Sequence, residues 1–186
     1  MTSGRFLVVE VLEALAFEPF GWVLGTACPT GNTARASRSP GSDFWHQHDF
    51  DPGEGGATEV LWVDYRNNKR QVHALEAHWL TQQAIVPLDG RAILHVVCTS
   101  RADDSRLPDL SRLRCFLVAS GQGVCMRPGC WHASFVLHGQ TTCLMLTRGS
   151  TTRELVTHLA SGAPAVETSI VALASLSDAG DVWIQA

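Results

Sequence analysis

From Arg5 onward, apolar and polar side chains alternate or run in short β-branched blocks, and most blocks end at glycine, proline, asparagine or aspartate. This pattern predicts strands over 5–11, 59–65, 71–75, 91–98, 113–119, 134–137 and 142–147. Among the turn clusters between them, Asn67-Asn68 and Asp89-Gly90 are the sharpest hairpin signals, because those residue types tolerate positive φ. Helix is scarce. Residues 13–17 read as a short turn ahead of Pro19. Thr151-x-x-Glu154 has the form of a capping box opening a helix to about residue 160, before Gly162 and Pro164.

Residues 28–56, rich in Gly, Ser, Pro and Asp, read as a long loop broken by Phe44-Trp45, and loops of that length are usually functional or disordered. Two further apolar runs in 165–186 suggest an extra strand or a wrapping arm, a C-terminal extension. No internal repeat stands out. Many short strands with little helix argue for an all-β fold, closed or sandwich-like, over 1–186 as a single domain.

With 186 residues and 45% hydrophobic side chains, the chain can bury one good core. Its charged fraction of 17% and net charge of −4 leave no basic surface for a phosphate backbone, so nucleic acid is not an expected partner. Glu10 and Glu13 interrupt the early apolar stretch, which argues against a signal peptide, and no run reaches the roughly 18 apolar residues of a membrane span. Six cysteines without CxxC spacing read as reduced thiols, and the expected location is the cytoplasm.

The candidate chemistry lies in two spaced cassettes: Glu76-x-His78-x-x-x-x-Gln83-x-x-x-Pro87-x-x-Gly90, then Gly121-x-Gly123 leading into Gly129-Cys130-Trp131-His132. Each places polar ligands beside a glycine turn, and much of the stretch between them is strand-like. Gly121-x-Gly123 lacks the third glycine and the strand-to-helix context of a dinucleotide loop. Read singly, each histidine is a hydrogen-bonded interior residue. Two in register with Glu76 and Gln83 favour a metal or carboxylate site in the mouth of a barrel.

The cassettes resemble the two ligand motifs of the cupin superfamily, whose hairpins converge inside a double-stranded β-helix or jelly-roll barrel. Glu76 takes the first His position, His78 the second and Gln83 the Glu position, while Gly121, Gly129 and His132 fall in register in the second motif. This altered first motif resembles the ureidoglycolate lyase family in particular. Supporting pieces are Ala16-Phe17-Glu18-Pro19-Phe20-Gly21-Trp22-Val23-Leu24, Ala84-Ile85-Val86-Pro87-Leu88-Asp89-Gly90, Leu113-Arg114-Cys115-Phe116 and Trp131-His132. The resemblance spans about residues 12–148. The chain departs from it at Ala133, where the family usually carries His, at Thr147, where it commonly carries Asp, and in His46-Gln47-His48-Asp49-Phe50, which lacks an arginine.

The resemblance implies release of urea and glyoxylate from ureidoglycolate in allantoin catabolism, a divalent metal such as nickel, no organic cofactor, and a homodimer. Elimination from this hemiaminal needs the hydroxyl proton removed and the leaving nitrogen protonated, and a cation would lower the hydroxyl pKa. His78 and His132 are the favoured ligands. Glu76 serves as a ligand or as the general base, and Gln83 as a ligand or a hydrogen-bonding group for substrate. A substrate carboxylate calls for a guanidinium, for which Arg66, Arg127 and Arg148 are available, each alternatively a solvated surface charge, and Tyr65 either packs within its strand or steers the urea end. His46 and His48 suggest a loop-ordering or closing role, Trp131 packs beneath the site, and His73, His95, His138 and His158 are structural. Two alternatives keep the barrel: an enzyme acting on another small hydroxy or amido acid, and a non-catalytic binder of small carboxylates.

Overall fold

The computed structural model describes residues 4–31, 33–177 and 180–185; Asp178, Ala179 and Ala186 of the predicted tail lie outside the described residues. In chain order the strands are β1 (Arg5–Val11), β2 (Gly21–Leu24), β3 (Ala36–Arg38), β4 (Asp43–Trp45), β5 (Thr58–Tyr65), β6 (Gln71–Val72), β7 (Ala74–His78), β8 (Gln83–Pro87), β9 (Ile93–Cys98), β10 (Arg114–Val118), β11 (Gly123–Met126), β12 (Trp131–Val136), β13 (Thr141–Arg148), β14 (Thr168–Ala172) and β15 (Val182–Gln185). Among the described residues two α-helices accompany them, α1 (Ala14–Phe17) and α2 (Gly149–Ser161). No helix among the described residues is long and apolar enough to cross a membrane.

An eight-stranded sheet, ordered β14-β7-β12-β9-β10-β1-β15-β6, and a five-stranded sheet, ordered β2-β11-β8-β13-β5, make up the body of the expected all-β fold. Between them the inward faces pack Phe17, Phe20, Ile85, Ile93, Val97, Phe116 and Met126. A second core lies on the other face of the larger sheet, where Trp131, Phe135, Leu94 and Val96 meet Leu173, Val182 and Ile184 of the tail. Burial of each such aliphatic side chain contributes about 1.5–3 kcal/mol, so Leu173, Val182 and Ile184 make the tail's described segments part of the packing. Strand β14 pairs along β7, and β15 pairs parallel to β1.

Asp89-Gly90 forms a bend and Asn67-Asn68 lies in the irregular segment after β5, but neither closes a hairpin. β5 pairs with β13 while β6 pairs with β15, and β8 and β9 lie in different sheets. Only Gly90 takes positive φ, at 79°. Turn chemistry specifies a change of direction, whereas the apolar faces on either side choose the partners.

Helix α2 begins at Gly149, ahead of the predicted capping box, with no side-chain cap from Arg148. Thr151 Oγ1 instead donates to Glu167 Oε2 (2.5 Å), and the Glu154 carboxylate accepts from the backbone N–H groups of Val166, Glu167 and Thr168 at 2.8, 2.8 and 3.1 Å. Both side chains therefore tie the helix to the strand that follows it. The helix stops as expected at Gly162, whose φ of 71° is left-handed.

The 28–56 stretch contains the β3–β4 hairpin. Its later part is pinned to the barrel: the His48 ring stacks on Trp22 with centroids 4.1 Å apart, and His48 Nε2 lies 2.9 Å from Gln82 Oε1. Arg148 Nη1 donates to the carbonyls of Pro52 and Glu54.

Candidate metal centre and its cavity

The two cassettes meet because β7 and β12 are hydrogen-bonded neighbours, with Glu76 directly opposite His132. Paired residues project to the same face, and His78, two positions along β7, shares it. Gly129 N donates to the carbonyl of His78 at 2.7 Å, clipping the turn of the second cassette to the end of the first. Gly129 has φ of 77°, and a Cβ there would lie 3.2 Å from the Trp79 ring, so a larger residue would strain the clip.

Glu76, His78 and His132 each offer one ligand atom, all within 4.8 Å of one another. The rings of His78 and His132 lie 5.4 Å apart, and His132 Nε2 is 3.4 Å from Glu76 Oε1. His132 Nδ1 is 3.1 Å from the Cys130 carbonyl, which can only accept, so Nδ1 carries a proton and Nε2 is turned toward Glu76. That nitrogen is buried without a hydrogen-bond partner. His78 Nδ1 is likewise engaged, 3.1 Å from Thr168 Oγ1, which leaves Nε2 for the cavity. Oriented imidazoles with their far nitrogens occupied are what a metal ligand requires.

Burial pushes the Glu76 carboxyl up, but facing His132, with His78 and His95 nearby, outweighs it and holds the group at about 2. Burial and the proximity of His132 push His78 down to about 4, against the opposing pull of Glu76. One carboxylate and a neutral imidazole at neutral pH are the states that bind a divalent first-row cation. The residues present therefore fit a metal ion.

Glu76 and His78 of the cluster line a cavity of about 230 Å³. Tyr65, Gln83, Met145 and Thr147 wall it from the barrel, and Thr151, Thr152, Leu155 and Leu159 of α2 flank it. A larger cleft of about 400 Å³ lies between Arg91, Leu137, His138 and Thr141, but it contains no comparable set of buried ligands, so volume does not decide the site.

Gln83 lines the cavity with Oε1 buried and unpartnered. Tyr65 lines it too; burial raises its phenol well above the usual value, against a hydrogen bond with Ser134. The arginines stand elsewhere. Arg66 bonds Asp64 and Gln140 at 3.0 and 2.7 Å, and Arg127 lies over the Trp22 ring at 4.1 Å and bonds Glu18. Strand parity explains it: Tyr65, Met126 and Thr147 face inward, so Arg66, Arg127 and Arg148, each one residue later, face away. Among the described residues lining the cavity there is no arginine or lysine.

Sequence reasoning did not single out Thr168 or the α2 side chains as parts of the site, and it noted Thr147 only as a departure from the family pattern. It also read His95 as structural, with no cassette context. His95 is fully buried, its ring 5.8 Å from that of His132, with Nδ1 3.0 Å from Ser134 Oγ and Nε2 3.1 Å from Met126 Sδ. The relevant signal was strand pairing, since His95 sits opposite Ser134, two residues from His132.

Residues 4–166 match the family model described as ureidoglycolate lyase. The chain is 32% identical to the ureidoglycolate lyase of Rhodobacter capsulatus over 126 residues, covering 68% of this chain and 75% of that one. It is 32% identical to that of Brucella anthropi over 130 residues (68% and 72%), and 42% identical to that of Salmonella paratyphi B over 79 residues (42% and 47%). Among solved structures, RmlC from Streptococcus suis in complex with dTDP-D-xylose aligns with a TM-score of 0.37 and 17% identity, over 62% of this chain and 70% of that one. With the family match running through both cassettes and two relatives alike across two thirds of its length, the chain belongs to the ureidoglycolate lyase family.

Proposed function

We propose that this protein is a carbon–nitrogen lyase that releases urea from ureidoglycolate and leaves glyoxylate, in the breakdown of allantoin. The observation that carries this reading is the Glu76–His78–His132 cluster beside a small cavity, with a buried His132 Nε2 that meets no donor. In the substrate one carbon bears a hydroxyl, a carboxylate and the urea nitrogen. The hydroxyl loses its proton, its oxygen becomes the aldehyde carbonyl as the carbon–nitrogen bond breaks, and the departing nitrogen gains a proton.

Glu76, His78 and His132 would hold a divalent cation, nickel or similar, which supplies Lewis acidity toward the hydroxyl and carboxylate oxygens. Among the described residues that line the cavity there is no arginine or lysine to take the substrate carboxylate, which fits a cation in that role. Glu76 serves as a ligand rather than as the base, because a carboxyl held at about 2 is a weak proton acceptor at neutral pH. Tyr65 keeps its proton and donates to the urea carbonyl, where charge builds as the nitrogen leaves. Leu155 helps exclude water from this side of the cavity.

Incubating the purified protein with ureidoglycolate tests the proposal. Glyoxylate should appear well above the buffer blank, and a rate equal to the blank rules the activity out. Elemental analysis of the natively purified protein identifies the metal. A homodimer fits the same reading, since β5 ends the five-stranded sheet with Val60 and Trp62 exposed.

A further inference from the structure

Three buried oxygens on adjacent strands of the five-stranded sheet have no hydrogen-bond partner: Glu59 Oε2 on β5, Thr147 Oγ1 on β13 and Gln83 Oε1 on β8. Thr147 pairs with Glu59 across the β13–β5 ladder. The β13–β8 ladder runs from Cys143↔Pro87 to Leu146↔Ala84, and its next step sets Gln83 beside Thr147. The three therefore form one row. Thr147 is 2% and Gln83 6% exposed, and both line the cavity that also holds Glu76 and His78.

A carboxylate oxygen and an amide carbonyl oxygen only accept hydrogen bonds, and a threonine hydroxyl accepts as readily as it donates. Leaving such atoms buried and unpaired is unfavourable unless a ligand brings donors. The row therefore complements a group rich in N–H. In a ureido acid every N–H lies on the urea half, whereas the carboxylate end offers only acceptors.

We infer that Gln83 Oε1 and Thr147 Oγ1, which line the cavity, receive the N–H groups of the substrate's ureido end. This assignment rests on the proposed lyase reading and adds its orientation: the urea half lies against the five-stranded sheet, and the carboxylate half against Glu76, His78 and His132. Thr147 and Gln83 are then positioning residues that read the terminal amide.

Two unreactive analogues test it by calorimetry on the protein as purified with its metal. Ureidoacetate and N-acetylglycine share one skeleton and size, but the second carries a methyl group where the first has its terminal NH₂. Ureidoacetate is expected to bind at least about tenfold more tightly. In Thr147→Val, which keeps the side-chain volume, the ratio should fall below about threefold, and Thr147→Ser should restore it. Equal binding of the two analogues by the wild-type protein overturns the inference, as does a full ratio in a folded Thr147→Val variant. If that variant does not fold, the wild-type pair decides alone. Wild-type turnover of ureidoglycolate is measured alongside: turnover with equal analogue binding removes only this assignment, whereas no turnover removes the lyase reading itself.

Discussion

Thr168 Oγ1 stands 3.1 Å from His78 Nδ1, so a residue of β14 sets the orientation of a ligand in the first cassette. Thr168→Val keeps the volume and removes the contact. Metal affinity should fall about 10- to 100-fold with the fold retained, as read by competition with a chromophoric chelator. Unchanged affinity would show that strand pairing alone orients the ring.

The cluster and the arginines should separate cleanly in kinetics. Glu76→Gln and His132→Asn are each expected to lower kcat/KM for ureidoglycolate by at least about 100-fold. Arg127→Ala should leave it within about twofold, because the ion pair it breaks is partly exposed and such pairs contribute little. A large loss in Arg127→Ala would place the carboxylate site outside the cavity.

Acid should destabilise the fold through its interior histidines. Burial and nearby His132, against the pull of Glu76, hold His95 at about 3, and His78 is at about 4, both down from an ordinary 6.5. Below pH 6.5 the unfolded chain binds protons that the folded chain refuses. The stabilisation is therefore complete above 6.5 and is lost as pH falls toward 4 and then 3. Each histidine contributes a slope of up to about 1.4 kcal/mol per pH unit. Calorimetric Tm, measured with chelator present, should fall steadily from pH 7 to pH 4, and a flat profile would contradict the interior placement of these rings.

Gly129→Ala tests the clip between the cassettes. The left-handed backbone alone should cost about 1–2 kcal/mol, and the new Cβ also approaches the Trp79 ring at 3.2 Å. Urea unfolding should show a lower midpoint, and activity should fall beyond the stability loss as His78 and His132 are displaced. A variant with wild-type stability would mean the turn relaxes freely.

The cassettes were legible because ligand spacing and strand parity are local. Glu76 and His78 share a face by alternation alone, and the same alternation, had it been applied to Tyr65-Arg66 or Thr147-Arg148, would have turned those arginines outward. Pairing was not legible. The two apolar runs of 165–186 suggested an extra strand or a wrapping arm, yet nothing within them specifies β7 as the neighbour or Thr168 as the partner of His78. Glu154 shows the same limit: its offset from Thr151 matches a capping box, but its carboxylate goes to the N–H groups of 166–168, a choice made by tertiary packing. His95 and His132 became neighbours only through the β9–β12 ladder.

Because β14 is laid along β7 after both cassettes, translation completes the centre out of order. A ribosome that has passed His132 has made every candidate ligand, yet the wall that steadies His78 arrives only with residues 168–172. A nascent chain stalled between those points carries all three ligands without that support, so competence for metal loading is expected late in synthesis.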